Sequence, residues 1–153
     1  MARSVRLSDD EAWAVIEAAH TGIFTSLRRD GWPISLPVWF AVHDRRVYVS
    51  GPARARRVGR VRRDERAAFL VESGERWAEL VGVALTGRAG IVTEPDLLAL
   101  VAEALDAKYS AFRTARADMP DGTRAHYEVE VATIELTPAA RILSWDNSRL
   151  DLA

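Results

Sequence analysis

Val47-Tyr-Val-Ser-Gly51 runs straight into Pro52-Ala-Arg-Ala-Arg-Arg-Val-Gly-Arg-Val-Arg-Arg-Asp64, a β-prone stretch that hands over to a short arginine-loaded helix. A helix that begins after Gly and Pro presents unpaired backbone N–H groups in its first turn, and guanidinium groups crowd the same place. That combination suits a phosphate. With hydrophobic strands on either side, it predicts a small β-barrel that holds a phosphorylated cofactor.

Working outward, the segments on both sides read mostly as strands. Upstream, Ser8-Asp-Asp-Glu11 is a capping box and predicts a helix whose buried stripe is Trp13, Ile16 and Ala19, stopping at Gly22. Ile23 to Arg28 and Trp32 to Val42 then form a hairpin across Asp30-Gly31, a pair suited to a two-residue turn with positive φ at both positions. Alternation puts Ile34, Leu36, Val38 and Phe40 on the core face, and Ser35, Pro37 and Trp39 on the other. Pro37 cannot donate to a ladder, so its strand should be bulged or unpaired there. His43-Asp-Arg-Arg46 makes a turn into the strand of Val47 to Ser50, and the arginine helix should run from about Ala53 to Arg63.

Downstream, Ala67 to Glu72 and Trp77 to Val92 read as strands joined by Ser73-Gly74. In the second, Gly82, Ala84 and Thr86 make a face of small side chains, which lets another backbone or a flat ligand come close. Thr93 should cap a helix to about Tyr109 or Phe112, with Leu98, Val101, Leu105 and Tyr109 inward. Thr114 to Arg124 reads as a loop. Two β-runs close the chain, His126 to Leu136 and Ala140 to Trp145. Six or seven mostly antiparallel strands with flanking helices make a mainly β fold, a β-barrel rather than a doubly wound sheet.

Composition limits the function. A length of 153 residues predicts one domain, residues 1–153. With no cysteine, disulfides, thiolate metal sites and cysteine nucleophiles are excluded, and a reducing cytoplasm is expected. The start of the chain lacks a signal-peptide pattern, and no stretch reaches the length of a membrane span. A net charge of -1 argues against nucleic-acid binding by the domain as a whole. His20, His43 and His126 are too scattered to form a metal set or a dyad, so no metal site is expected. Nucleotide-loop, nucleophile-elbow and zinc-helix motifs are missing as well, and no catalytic residue can be named.

In their order and spacing, these segments resemble the pyridoxamine 5'-phosphate oxidase-like superfamily, flavin- and deazaflavin-dependent oxidoreductases built on the FMN-binding split β-barrel. The resemblance rests on Gly22-Ile-Phe-Thr-Ser-Leu, on Asp30-Gly-Trp-Pro33 with Pro37-Val-Trp-Phe40, and on Tyr48-Val-Ser50 with Arg57 and Arg62-Arg-Asp64. Val81-Gly-Val-Ala-Leu-Thr-Gly87 and Leu143-Ser-Trp-Asp146 complete it. It implies a homodimer with the cofactor at the subunit interface, FMN or alternatively the deazaflavin coenzyme F-420, and a small-molecule substrate. It sets Pro37, Val38 and Trp39 along the ring, Ser50 with Arg56 and Arg57 at the phosphate, Trp77 near the groove and Trp145 arriving from the partner; with the strand-to-helix entry, it implies a phosphate contact by at least one of Arg54, Arg56 and Arg57.

Two departures stand out. Arg57 and Arg60 replace a frequent lysine and asparagine, and Glu65 replaces a frequent proline. The short end, Asn147 to Ala153, favours a generic redox role over oxidation of pyridoxamine phosphate itself. The alternative to an enzyme is a non-catalytic flavin, haem or small-molecule binding protein on the same fold.

Overall fold

The computed structural model describes residues 4–150, apart from the side chain of His126. Met1–Arg3 and Asp151–Ala153, which belong to the terminal segments read above, lie outside the described residues. The elements are α1 (Asp9–Ala18), β1 (Gly22–Leu27), β2 (Pro33–Val38), β3 (Ala41–His43), β4 (Arg46–Pro52) and α2 (Arg56–Arg63). They continue with β5 (Arg66–Ser73), β6 (Val81–Ile91), α3 (Pro95–Tyr109), α4 (Asp121–Tyr127), β7 (Val131–Pro138) and β8 (Leu143–Asp146). The strands form one curled sheet, ordered β2-β1-β5-β6-β7-β4-β3, with β8 also on β6. Every pairing is antiparallel. The fold is therefore the expected split β-barrel with flanking helices, and among the described residues it has eight strands.

β2 and β3 are separate strands because the expected run from Trp32 to Val42 breaks in two. The Tyr109 hydroxyl accepts the Phe40 N–H at 3.0 Å and donates to the His20 carbonyl at 2.8 Å, with the Phe40 carbonyl at 3.1 Å. Backbone groups that would have continued the ladder are satisfied by a side chain from α3 instead. β2 ends before that contact and β3 begins after it.

The barrel interior is lined by alternate residues. Phe24, Val47, Val49, Phe69, Val71, Val83, Leu85, Ile134 and Leu136 are buried there, closed by Trp13 and Ile16 of α1 and by Val58 and Val61 of α2. Outside β3 and β4, α3 covers Ala41 and Tyr48 with Val101, Leu105 and Tyr109. The capping box of α1 forms as read, with Ser8 Oγ accepting from the Glu11 N–H and Glu11 Oε2 accepting from the Ser8 N–H at 2.7 Å. This helix stops at Ala18, and Gly22 opens β1 rather than ending the helix.

Turns depart from the sequence reading in an instructive way. Between β1 and β2, Gly31 alone has positive φ, and the Arg28 carbonyl accepts from the Gly31 N–H while the Arg28 N–H donates to Trp32. This is a three-residue loop ending in a left-handed glycine, not the expected two-residue turn. The turn with positive φ at both positions is Asp44-Arg45, between β3 and β4. Trp77 lies on a one-turn 3-10 segment ahead of β6, not within the strand, and the expected loop of Thr114 to Arg124 holds the start of α4. His126 falls in α4 rather than at a strand start, and Glu94, not Thr93, precedes α3.

β2 is an edge strand paired only with β1. Its register is unbroken from Gly22↔Val38 to Leu27↔Pro33, so Pro37 causes no bulge. Since Arg28 and Trp32 exchange the hairpin hydrogen bond, alternation turns the backbone polar groups of Pro33, Ser35 and Pro37 away from β1. The free edge thus offers three carbonyls and, among these residues, the single N–H of Ser35. Among the described residues no helix is long and apolar enough to cross a membrane.

Candidate functional site

An open groove of about 960 Å³ separates the β1–β2 hairpin from α2. One wall is Arg28, Arg29, Asp30, Ile34 and Leu36; the other is Ala55, Arg56, Arg57, Arg60 and Arg63. Ile34 is half-buried and Leu36 is 44% exposed, so they are not core as expected but an apolar floor for the groove. The barrel interior does not extend to this end of the edge strand, and the face that is core at Val38 opens to solvent at Leu36.

α2 sits here because Val58 and Val61 are buried in the barrel. Its N-cap, Ala55, has no side-chain acceptor, and no acidic residue stands in its first turn. The first-turn amides and the positive end of the helix dipole are uncompensated by side chains. Arg57 lies against the α-carbon of Gly51, where a Cβ would overlap its guanidinium. Burial, aided by the nearby Arg60 charge, lowers the pKa of Arg57, although a guanidinium remains charged.

Arginines around the groove have few acidic partners. Arg28 pairs with Asp30 at 2.7 Å. Arg60 Nε donates to the buried Ser26 hydroxyl at 2.8 Å, and Arg63 donates to the Leu27 carbonyl at 3.2 Å. The side chains of Arg29, Arg56 and Arg57 make no hydrogen bond or ion pair among the described residues. Arg66 is different: it grips Asp64 with two hydrogen bonds of 3.0 and 2.8 Å, and together with the backbone N–H of Arg66 they hold the Asp64 carboxyl down at about 2. Arg88 likewise pairs with Glu65. Solvated ion pairs thus answer the arginines of β5 and β6, whereas along the groove Arg28–Asp30 is the only such pair among the described residues.

The structure brings Arg56 and Arg57 together with the α2 amides, but not with Ser50. Successive strand residues face opposite sides: Gly51, like Val49, faces inward toward Arg57, while Ser50 faces outward and bonds Thr133 Oγ1 at 2.7 Å. Ser50 is thereby separated from the expected phosphate set. Arg54 is exposed and stands outside the groove lining.

At the other end of β2, Pro37 is exposed, whereas Val38 is 7% exposed and belongs to the core, so only its backbone is available. One face of Trp39 is stacked on Tyr109, with centroids 4.4 Å apart, and His20 stands edge-on to both rings. Trp77 is 66% exposed and its carbonyl accepts from Asn147 Nδ2. The indole of Trp145 fills the space beside Gly82 where a Cβ would stand, so the close approach expected at the small-residue face of β6 is made there by a side chain of the same chain. Among the described residues no group of three or more metal-ligating side chains comes together.

Residues 8–138 match the family described as pyridoxamine 5'-phosphate oxidase. The chain belongs to that family. A search of curated proteins gave no match. Among solved structures, the conserved hypothetical protein Rv2991 from Mycobacterium tuberculosis is 27% identical, with a TM-score of 0.81 over 98% of this chain and 91% of its own. The FAD binding protein from Mycobacterium smegmatis aligns with a TM-score of 0.61 at 15% identity, covering 90% of this chain and 95% of its own. HutZ, the heme storage protein from Vibrio cholerae, aligns at 0.69 and 10% identity over 90% of this chain and 94% of its own. These last two likenesses are of fold.

For this member of the pyridoxamine 5'-phosphate oxidase family, sequence reasoning missed Arg28, Arg29, Arg60 and Arg63 as groove residues. The signal was present in the Arg28-Arg29 pair at a hairpin end and in the spacing of Arg56, Arg60 and Arg63 along one helix face.

Proposed function

We propose that this protein binds a phosphorylated flavin-type cofactor, FMN or the deazaflavin coenzyme F-420, and passes a hydride between its ring and a small organic substrate. One observation carries the reading: the Arg57 guanidinium is half-buried against Gly51, beside uncapped helix amides, with no carboxylate to answer its charge. A charge held this way costs desolvation that a bound phosphate offsets through charge-assisted hydrogen bonds. Arg56, Arg57 and the first amides of α2 would hold that phosphate.

From Pro33 to Val38 the free edge of β2 runs about 17 Å, on the scale of a flavin with its phosphate chain laid at full length. Carbonyls of Pro33, Ser35 and Pro37 and the Ser35 N–H can meet the polar edge of a flat ring. When bound, the cofactor supplies the hydride chemistry, while the protein anchors, orients and screens it from water. A general acid or base need not be visible for such a site.

The homodimer belongs to the same proposal. The outer face of β1, β5 and β6 is a shallow groove over Thr25, Ala68 and Thr86, and Leu143, paired with Ala84 of β6, is exposed. A second copy on that face would also enclose the edge of β2, and light scattering should give twice the chain mass. The rival is a binding protein without turnover, and the fold likeness to HutZ supports haem as its ligand.

Titration with FMN, F-420 and haem, followed by absorption, separates these readings. The proposal expects flavin-type bands on the protein, reduction or reoxidation with a substrate panel, and affinity at least tenfold weaker in Arg57→Ala. Binding of neither flavin nor deazaflavin overturns it, and a haem band alone supports the rival.

A further inference from the structure

The groove holds more positive charge than one phosphate requires, and that charge is spread along its length. Arg56 and Arg63 are seven residues apart on α2, about 10 Å along the axis, with Arg60 between them. Arg57 lies at the start of that row. Arg63 lies at the far end, beside the Leu27 carbonyl, where the hairpin brings Arg28 and Arg29 from the opposite wall. Asp30 is the only carboxylate in the lining and is already paired with Arg28.

We propose that the far end of the groove, formed by Arg29 and Arg63, is a second anion subsite, so that the ligand of this protein carries a further phosphate or carboxylate about 10 Å from the first. Identifying the first anion as the cofactor phosphate rests on the function proposed above; the existence of the second subsite does not.

Like charges support this arrangement. Arg60 has its pKa lowered by burial and by Arg56 and Arg63 on either side, so the row repels itself when no anion is bound. A monophosphate engaged at the α2 N-terminus leaves Arg29 and Arg63 uncompensated. A longer anionic chain answers both ends at once, and its second contact is intramolecular and correspondingly favoured.

Two sets of probes test the subsite. Inorganic phosphate and a linear pentaphosphate are titrated into wild type, Arg29→Ala, Arg63→Ala and Arg62→Ala. Arg62 belongs to the same helix, has no partner among the described residues and lies outside the groove, so it controls for bulk charge. Pentaphosphate should bind wild type more tightly than phosphate. Arg29→Ala and Arg63→Ala should each weaken pentaphosphate about tenfold and phosphate less than twofold, with Arg62→Ala close to wild type.

FMN, FAD and F-420 form the second set, with cofactors bearing further anionic groups losing affinity in Arg29→Ala and Arg63→Ala while FMN does not. Both variants should remain folded without ligand, with Arg29→Ala melting close to wild type and Arg63→Ala trading the Leu27 hydrogen bond against relief of repulsion from Arg60. Equal effects of Arg62→Ala and Arg63→Ala, or equal losses for phosphate and pentaphosphate, overturn the subsite. Failure of every flavin-type cofactor to bind, with the inorganic pattern intact, overturns the functional proposal and leaves the subsite standing.

Discussion

Gly51→Ala separates the position of Arg57 from its presence. A Cβ on Gly51 would overlap Nη2 of Arg57, the far end of a flexible side chain, while the backbone φ there needs no glycine. Arg57 must swing away, but the strand and the helix need not move. If the guanidinium makes one charge-assisted hydrogen bond to phosphate, its loss costs about 1.5–3 kcal/mol, or about ten- to a hundredfold in Kd. Stability should change by less than about 1 kcal/mol, since no core atom is displaced.

The assay is quenching of flavin fluorescence in wild type, Gly51→Ala, Arg57→Ala and the double variant, with thermal melts of each. In the double variant the loss should equal that of Arg57→Ala alone, because both substitutions remove the same contact. A folded Gly51→Ala protein with wild-type affinity, or losses that add, would refute the assignment of Arg57 to the phosphate.

Tyr109→Phe should lower stability by about 1–3 kcal/mol, because the buried Phe40 N–H loses its acceptor; the urea midpoint should fall with the slope unchanged. Gly22→Ala would drive a Cβ into the buried Phe69 ring, at a cost of about 1–3 kcal/mol and about 2–4 °C in Tm for each kcal/mol. Glu11 is held at about 2 by the Ser8 N–H and by Arg149, so its contribution is full above about 4.5 and is lost as pH falls toward 2. Glu11→Gln should flatten the melting temperature against pH across that window, and an unchanged slope would discount the capping box as its source.

Strand faces were legible wherever the inward side of the sheet was fully covered by the core. Val47 and Val49, Phe69 and Val71, and Val83 and Leu85 alternate inward as their hydrophobicity dictates. The same rule misled at Ile34 and Leu36, because alternation tells which face a residue occupies and not where along the strand the covering layer stops. Parity could have split Ser50 from Arg57, since Gly51 shares the inward side with Val49. Proximity in the chain outweighed it.

The wall formed by Arg28 and Arg29 was only half legible: the sequence shows a basic pair at a hairpin end, but the hairpin meets α2 through tertiary contacts at Ser26 and Leu27, and no local pattern says which element the pair will face. The break at Phe40 was equally non-local, since it depends on a hydroxyl 69 residues away.

β2 is where the sheet stops rather than closes, and its outward row has no N–H at Pro33 or Pro37. A foreign strand laid along it would find carbonyls with nothing to receive from beyond Ser35, so two of the bonds needed for extension could never form. The two prolines therefore make this border a poor template for fibril growth. A molecule whose margin must stay bare can in this way remain dispersed at high concentration.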